Sequence, residues 1–397
     1  MGAKSGTAVG GPALGAPVTF AAEIGDASGR VVVHPDGEPL AEWLDEFFRP
    51  GLTVVAADPA APVVRVVDAD AGTELGGSSA PARTPVPCFA LDRSVVEHPA
   101  HRTADGILVI DDEQYGTRIV LGADSVTIVR RDPAPRSRAG VMRVVRELVT
   151  AQAVAVGALQ LHAGALARDG RVAVLAGPKQ AGKTTLVARL AGLGLGAIAA
   201  NDRLLLAADP GPGTKAAWHA CPIGTVVSVR PGTRALFPAL TGPFPAVRSP
   251  AHLTVAELAA CAARDAAGAG GDTAPARVTL SPAQFAHALG APRSAGGRVA
   301  GVLLLAIDPD LDGYRITPLD ADAAEPALAA VEYGCRPVGL PRTVFEDWLG
   351  IGPAAPTIRR YAAFAASAAV RMLTVGPRVL RDDGCARDLA DEVFAGG

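Results

Sequence analysis

The chain has 397 residues, 49% of them hydrophobic and only 4% aromatic, and 37 basic side chains nearly balance 40 acidic ones for a net charge of −3. At roughly 100–200 residues per domain this is material for two or three domains with aliphatic cores. The near-neutral balance, with no basic block, argues against a nucleic-acid partner.

The five cysteines, Cys88, Cys221, Cys261, Cys335 and Cys385, form no C-x-x-C pair. Neither a disulfide framework nor a zinc site is expected, and a reducing, cytoplasmic setting is. Residues 1–18, small and aperiodic, are expected to be disordered; they carry no signal-peptide core and no myristoylation pattern.

Residues 19–131 read as a β-rich N-terminal domain. GRVVVHPDGEP, GLTVVAA, PVVRVVDA, GILVIDD and TRIVLGADSVTIVRR are β-branched runs bounded by Gly, Asp or Pro. PLAEWLDEFFR (39–49) is a short helix among them. His98 and His101 are read as loop residues, and DPAPRSR (132–138) as a linker.

From 139 the period changes. Val141, Val144, Val145, Leu148 and Val149 recur at helical spacing and predict a helix over about 139–157. AQAVAVGALQLHAGALA (151–167), the most apolar stretch, is too short and too polar to span a bilayer. RVAVLAG (171–177) has the shape of a buried strand ending in glycine, and KTTLVARLAGLG (183–194) that of a helix with a glycine cap. GAIAANDRLLLAAD supplies one or two strands. Residues 264–277 read as a flexible connection, and SPAQFAHALG (281–290) as a helix capped by Ser281. GVLLLAI (301–307) is a strand, DADAAEPALAAVEY a helix, and AVRMLTVGP and CARDLADEVF close the chain with strand and helix.

Strand, glycine-rich turn, helix is the context of a phosphate-binding loop. The pattern G-x-x-x-x-G-K-[ST] is met by Gly177, Gly182, Lys183 and Thr184, with Pro178, Lys179, Gln180 and Ala181 between the glycines and Thr185 after them. Glycines let backbone N–H groups turn inward around phosphates, and the helix start adds partial positive charge. Lys183 would reach the β and γ oxygens, and Thr184 would ligate Mg²⁺. Only four of the 37 basic residues are lysines, and two of them, Lys179 and Lys183, lie in this loop. A compact ammonium fits the end-on approach at position 183 where a planar guanidinium does not. Lys179 occupies a variable position and reads equally as a solvated loop charge. No N-K-x-D guanine reader and no L-S-G-G-Q stretch accompany the loop.

Upstream lies LQLHAGALARDGRVAVLAG, with His162 fifteen residues before Gly177; downstream lies GLGLGAIAANDRLLL, with Asp202. This arrangement resembles the catalytic domain of HPr kinase/phosphorylase and its diverged relatives, which share a nucleotide fold with phosphoenolpyruvate carboxykinase. The order of elements follows that family over about 139–397, and its specific motifs lie within 161–206. The resemblance implies an α/β phosphate-loop kinase domain at 139–397, preceded by the smaller β-rich domain. It implies Mg²⁺ and ATP as cofactors and phosphorylation of a hydroxyl on a small molecule or a peptide. In the family the second Asp of a D-D pair takes the hydroxyl proton. That position is Asp202 here, while Asn201 stands at the first. The family's histidine before the loop matches His162. No counterpart of its metal-binding glutamate is found, so HPr itself is not the expected acceptor.

Asp202 also reads as a turn residue or a Mg²⁺ ligand, and His162 as a buried, hydrogen-bonded histidine. Asp308, closing VLLLAID, resembles a second metal-binding carboxylate but equally fits strand-end turn chemistry. Arg203, Arg230 and Arg234 are candidates to neutralise phosphate. His219 with Cys221 lacks further ligands at metal spacing. A kinase is expected; a nucleotide-binding regulator that has lost the chemistry, or a simple ATPase, is the alternative. No membrane partner is expected, and association with a second copy of the chain stays open.

Overall fold

The computed structural model describes residues 17–24, 27–56, 58–69, 82–91, 94–131, 134–209, 217–241, 250–267, 277–332, 341–352 and 358–395. They form a mixed α/β structure with eleven α-helices, two large sheets and one small two-stranded sheet. No helix among them is long and apolar enough to cross a membrane.

The first sheet has nine strands in the order Thr53–Val55, Val18–Ile24, Ala27–His34, Val63–Asp68, Ser125–Arg130, Thr117–Leu121, Leu108–Asp112, Ser94–Arg102 and Thr84–Leu91. The last two strands were not expected. Pro85, Pro87 and Pro99 interrupt that stretch, and proline is tolerated in a sheet only where its missing N–H is not needed. Here Thr84–Leu91, with Pro85 and Pro87, is the edge strand, and Pro99 lies just outside the ladder that joins Ala100–Arg102 to Leu108–Asp112. His98 and His101 therefore lie on the strand Ser94–Arg102 and not in a loop, and His98 is buried 3.9 Å from Asp112. The disorder expected over 1–18 does not hold at Val18, which opens a strand; residues 1–16 lie outside the described ones.

The long helix runs over Arg136–Ala155, so the last residues of the expected linker are helical. Its valine stripe, Val141, Val144, Val145, Leu148 and Val149, is fully buried. It shares one core with the inward face of the first sheet (Phe20, Val31, Ile110, Ile128) and with the helix Glu38–Phe48. Leu205, Ala207, Cys221 and Ile223 of the second sheet enter the same core. The break in sequence pattern at 132–138 is thus not a break in packing.

The second sheet runs Arg171–Ala176, Leu159–Arg168, Arg203–Asp209, Ala217–Ile223, Gly297–Ile307, Val370–Val375 and Tyr314–Pro318, with Ala197–Ala200 also paired to Leu159–Arg168. The strand Gly297–Ile307 runs parallel both to Arg171–Ala176 and to Val370–Val375. At its start Arg298 pairs with both Arg171 and His219, so the sheet curls toward closure. One face packs on the helices Lys183–Gly192 and Asp383–Ala395 through Leu175, Leu303, Val187 and Leu389. The opposite face packs on the helices Ala321–Ala330 and Ile358–Ser367. The helix Pro282–Ala288 is capped by Ser281 as expected, and Gln284 completes a capping box. Of the connection expected over 264–277, residues 264–267 belong to the helix Val255–Ala267, and 268–276 lie outside the described residues.

Candidate phosphate site

RVAVLA is apolar without alternation because both faces of its strand are covered; Val172 through Ala176 are all buried. The chain then turns through the loop 177–182 into the helix Lys183–Gly192. Gly182 caps that helix with φ 87, a left-handed conformation that suits glycine. A Cβ on Gly182 would lie 3.0 Å from Ile307 Cδ1, and one on Gly177 3.0 Å from the carbonyl oxygen of Leu305. Both glycines thus pack directly on the strand Gly297–Ile307 with no room for a side chain, and the turn they make leads into a helix start of the kind that holds phosphate. Gln180 holds φ 74 without being glycine, a conformation costing about 1 kcal/mol. Pro178, Lys179 and Gln180 are exposed at the tip, and Ala181 donates its amide to the Pro178 carbonyl at 3.2 Å.

Lys183 is the buried cation of the loop. Its Nζ donates to the carbonyls of Gly177 (2.7 Å) and Pro178 (3.0 Å), which seats the ammonium inside the turn. Thr184 and Thr185 occupy the first turn of the helix. The Thr185 hydroxyl lies 2.9 Å from that of Thr233, on the short helix Pro231–Leu236. That contact brings Arg234, on the same short helix, and Arg230, its N-cap residue, alongside the loop helix.

Strand register brings the remaining expected residues to the loop. Ala163 pairs with Ala176, the residue before Gly177. On its other side the Ala163 amide donates to the carbonyl of Asp202 at 3.1 Å. His162, one residue back, pairs with Arg203, and its Nε2 donates to Asp202 Oδ1 at 3.0 Å. His162 and Asp202 are thus a bonded pair one to two strands from the loop. Burial works to raise the Asp202 pKa. The hydrogen bond from His162 and the charges of His162, Arg203 and Arg146 outweigh it, and the carboxyl is held below its ordinary value. Arg203 is almost fully buried. Arg146 comes from the long helix and gave no signal in the sequence.

Gly164, two residues after His162, has a packing role that the sequence did not announce. A Cβ there would lie 2.9 Å from Val187 Cγ2 and 3.8 Å from Lys183 Cβ, so its absence lets the loop helix lie directly on the strand.

Asp308 stands at the end of the strand Gly297–Ile307, beside the loop strand. Its Oδ1 accepts from the Asp310 amide at 3.0 Å, which is the strand-end turn arrangement. Among the described residues no three His, Cys, Asp or Glu side chains gather as a metal site. Mg²⁺ held through nucleotide phosphates needs only one or two protein ligands. The Thr184 hydroxyl, on the first turn after the loop, and the Asp202 carboxylate, bonded to His162, are donors of the right hard-oxygen type. His219 and Cys221 lie on the strand Ala217–Ile223, where the Cys221 thiol donates to the Gly51 carbonyl at 3.4 Å.

Asn201, the residue preceding Asp202, is unlike its neighbours. Neither Oδ1 nor Nδ2 finds a hydrogen-bond partner among the described residues, although both atoms are buried. Each such group costs about 1–3 kcal/mol. Asn201 lines a cavity with Phe48, Ile198, Ile223, Phe285 and Arg293.

No protein-family model matches the chain, and no curated protein matches it significantly.

Proposed function

We propose that this chain is a Mg²⁺- and ATP-dependent phosphotransferase acting on a hydroxyl group, with the phosphate loop 177–184 as its nucleotide site. The observation that carries this reading is the register beside the loop. It brings a paired histidine and carboxylate, His162 and Asp202 at 3.0 Å, next to the glycine that opens a lysine-bearing loop. Phosphoryl transfer needs positioning and charge neutralisation more than covalent chemistry. The loop amides and Lys183 would hold the β and γ phosphates. Mg²⁺ would supply charge neutralisation there, with Thr184 and Asp202 as the protein donors. In the transfer an O–P bond forms to the acceptor oxygen while the bond from the γ phosphorus to the bridging oxygen breaks and ADP leaves. The hydroxyl proton passes to the Asp202 carboxylate and on to solvent. The His162 bond fixes the orientation of that carboxylate.

One observation favours a second reading, a nucleotide-binding regulator. A carboxylate held below its ordinary pKa by His162, Arg203 and Arg146 is a weaker base. The test is direct. Calorimetry of Mg²⁺·ATP binding to the wild type and to Lys183→Ala examines the loop, and γ-labelled ATP with a library of hydroxyl acceptors examines transfer. Binding that Lys183→Ala abolishes, with label transferred to an acceptor, is the expected outcome. Equal affinity in a folded Lys183→Ala would remove the loop from the account. Binding without transfer to any acceptor would favour the regulator.

A further inference from the structure

We propose that Ile307 is the wall against which the base of the bound nucleotide packs, with the nucleoside on the flank of the phosphate loop opposite His162 and Asp202. The proposal rests on the phosphotransferase reading above and names the residue that tells a nucleotide from a bare polyphosphate at that site.

The first observation is where this side chain stands. Ile307 closes the strand Gly297–Ile307 and is 59% exposed. Residues two apart share a face of a strand. Ile307 therefore continues the face of Leu303 and Leu305, which are buried in the core that also holds Leu186 and Val187 of the loop helix. That helix begins at Lys183, and a Cβ on Gly182 would lie 3.0 Å from Ile307 Cδ1. The apolar face thus runs on past the helix start, to the end where free N–H groups attract phosphate. A singly exposed isoleucine is ordinary on a protein surface. At an anion site it offers nothing to the phosphates, but it does offer apolar surface to the flat face of a base.

The second observation is the order of the strands. The strand that leads into the loop, Arg171–Ala176, has Leu159–Arg168 antiparallel on one side and Gly297–Ile307 parallel on the other. His162 belongs to the first neighbour and Ile307 to the second. A triphosphate seated on the loop with its γ end toward His162 and Asp202 extends its nucleoside the other way, toward Ile307.

The third is charge. On the His162 side, Arg203 and Arg146 stand close enough to act on the Asp202 carboxyl. On the other side, Ile307 is followed by Asp308, Asp310 and Asp312, with Arg378 paired to Asp312 at 3.4 Å. Phosphates are drawn to the first flank and repelled by the second, whereas a neutral base is not repelled. Charge and strand order therefore orient the nucleotide in the same direction.

The experiment titrates the full chain with Mg²⁺·ATP and with Mg²⁺·tripolyphosphate, which has three phosphates and no nucleoside. By calorimetry the wild type is expected to bind ATP about tenfold or more tightly than tripolyphosphate. Ile307→Ser should weaken ATP about tenfold, the factor for losing a largely covered apolar side chain, and leave tripolyphosphate unchanged. Ile307→Leu keeps the apolar surface and should keep the ATP affinity. Both variants should melt with the wild type, because the side chain is exposed. Equal wild-type affinity for the two probes, an unchanged ATP affinity in Ile307→Ser, or loss of both probes together would overturn the proposal and leave the phosphotransferase reading standing. Binding of neither probe by the wild type would overturn that reading and this proposal with it.

Discussion

Lys183 and Asp202 carry opposite charges and are held by different means. The lysine is fastened by its own loop, through carbonyls five and six residues away in the chain. The aspartate is fastened by a histidine forty residues away, across a strand pair. If Asp202 accepts the acceptor's proton, Asp202→Asn should leave Mg²⁺·ATP affinity nearly intact and lower turnover by roughly 10²–10⁴-fold. If Asp202 mainly ligates Mg²⁺, metal-dependent nucleotide affinity falls together with the rate. Titration and transfer assays on the same variant separate the two, and full transfer by Asp202→Asn would remove its catalytic role. The pair also carries a pH signature. A carboxyl whose folded pKa is depressed contributes stability that is present above its unfolded pKa and lost as pH falls through the folded one. The stability difference between wild type and Asp202→Asn should therefore be constant above the ordinary carboxylate range near pH 4 and shrink below it. Denaturant titrations from pH 7 down to pH 3 measure this, and a difference that grows on acidification would contradict the assigned shift.

At the scale of elements, the loop helix depends on what is missing beneath it. Leu186, Val187 and Leu190 are buried against the second sheet, and at Gly164 a Cβ would lie only 2.9 Å from Val187 Cγ2. Gly164→Ala would force Val187 or the helix outward, and overpacking of this kind costs about 1–3 kcal/mol. Because the same helix carries Lys183 and Thr184, nucleotide affinity should weaken in step with stability. A lower denaturant midpoint together with a raised Kd for Mg²⁺·ATP is the expected pair of results. A Gly164→Ala protein with unchanged midpoint would show that the helix has room that the 2.9 Å approach denies it.

For the whole molecule, the two large sheets share one core and a set of polar ties. Arg138, at the start of the long helix, makes a bidentate pair with Glu257 at 2.6 and 2.9 Å and donates to the His252 carbonyl at 3.1 Å. Burial beside Arg138 pushes the His252 pKa down to about 4, so this contact stays uncharged on the histidine side at neutral pH. Glu46 accepts from the Val255 amide at 2.9 Å, and the Trp43 indole donates to the Ala251 carbonyl at 3.3 Å. The sequence pattern alone suggests that a fragment starting near 139 should fold and bind nucleotide. The packing predicts otherwise. Such a fragment loses Arg138 and exposes the valine stripe of the long helix, an apolar surface of the kind that drives association. Expressed as 139–397, it should aggregate or fail to bind ATP where the full chain binds. A monomeric fragment with full affinity, by size-exclusion chromatography and calorimetry, would show the two parts to be independent.

Local chemistry was enough for the strand, glycine turn and helix around Lys183 and for the alternation of strands and helices after 139. Each of these is written in contiguous residues: two glycines at fixed spacing, a lysine, a threonine, and runs whose period is 2 or 3.6. His162 and Asp202 could be named from the resemblance to a kinase family, but their 3.0 Å contact could not, because it is made by strand register. The proline-bearing strand Thr84–Leu91 was hidden because its assignment depends on being at a sheet edge, a property of the assembled sheet and not of the segment. The cavity around Asn201 was hidden for the same kind of reason. Phe48, Asn201, Phe285 and Arg293 are spread over some 245 residues of sequence and meet only when the helix Glu38–Phe48 docks on the second sheet. Sequence by itself determined the elements whose hydrogen bonds and apolar faces are satisfied over short separations. Tertiary structure decided every feature that joins distant segments, because only chain docking chooses which buried groups find partners and which, like the amide of Asn201, find none among the described residues.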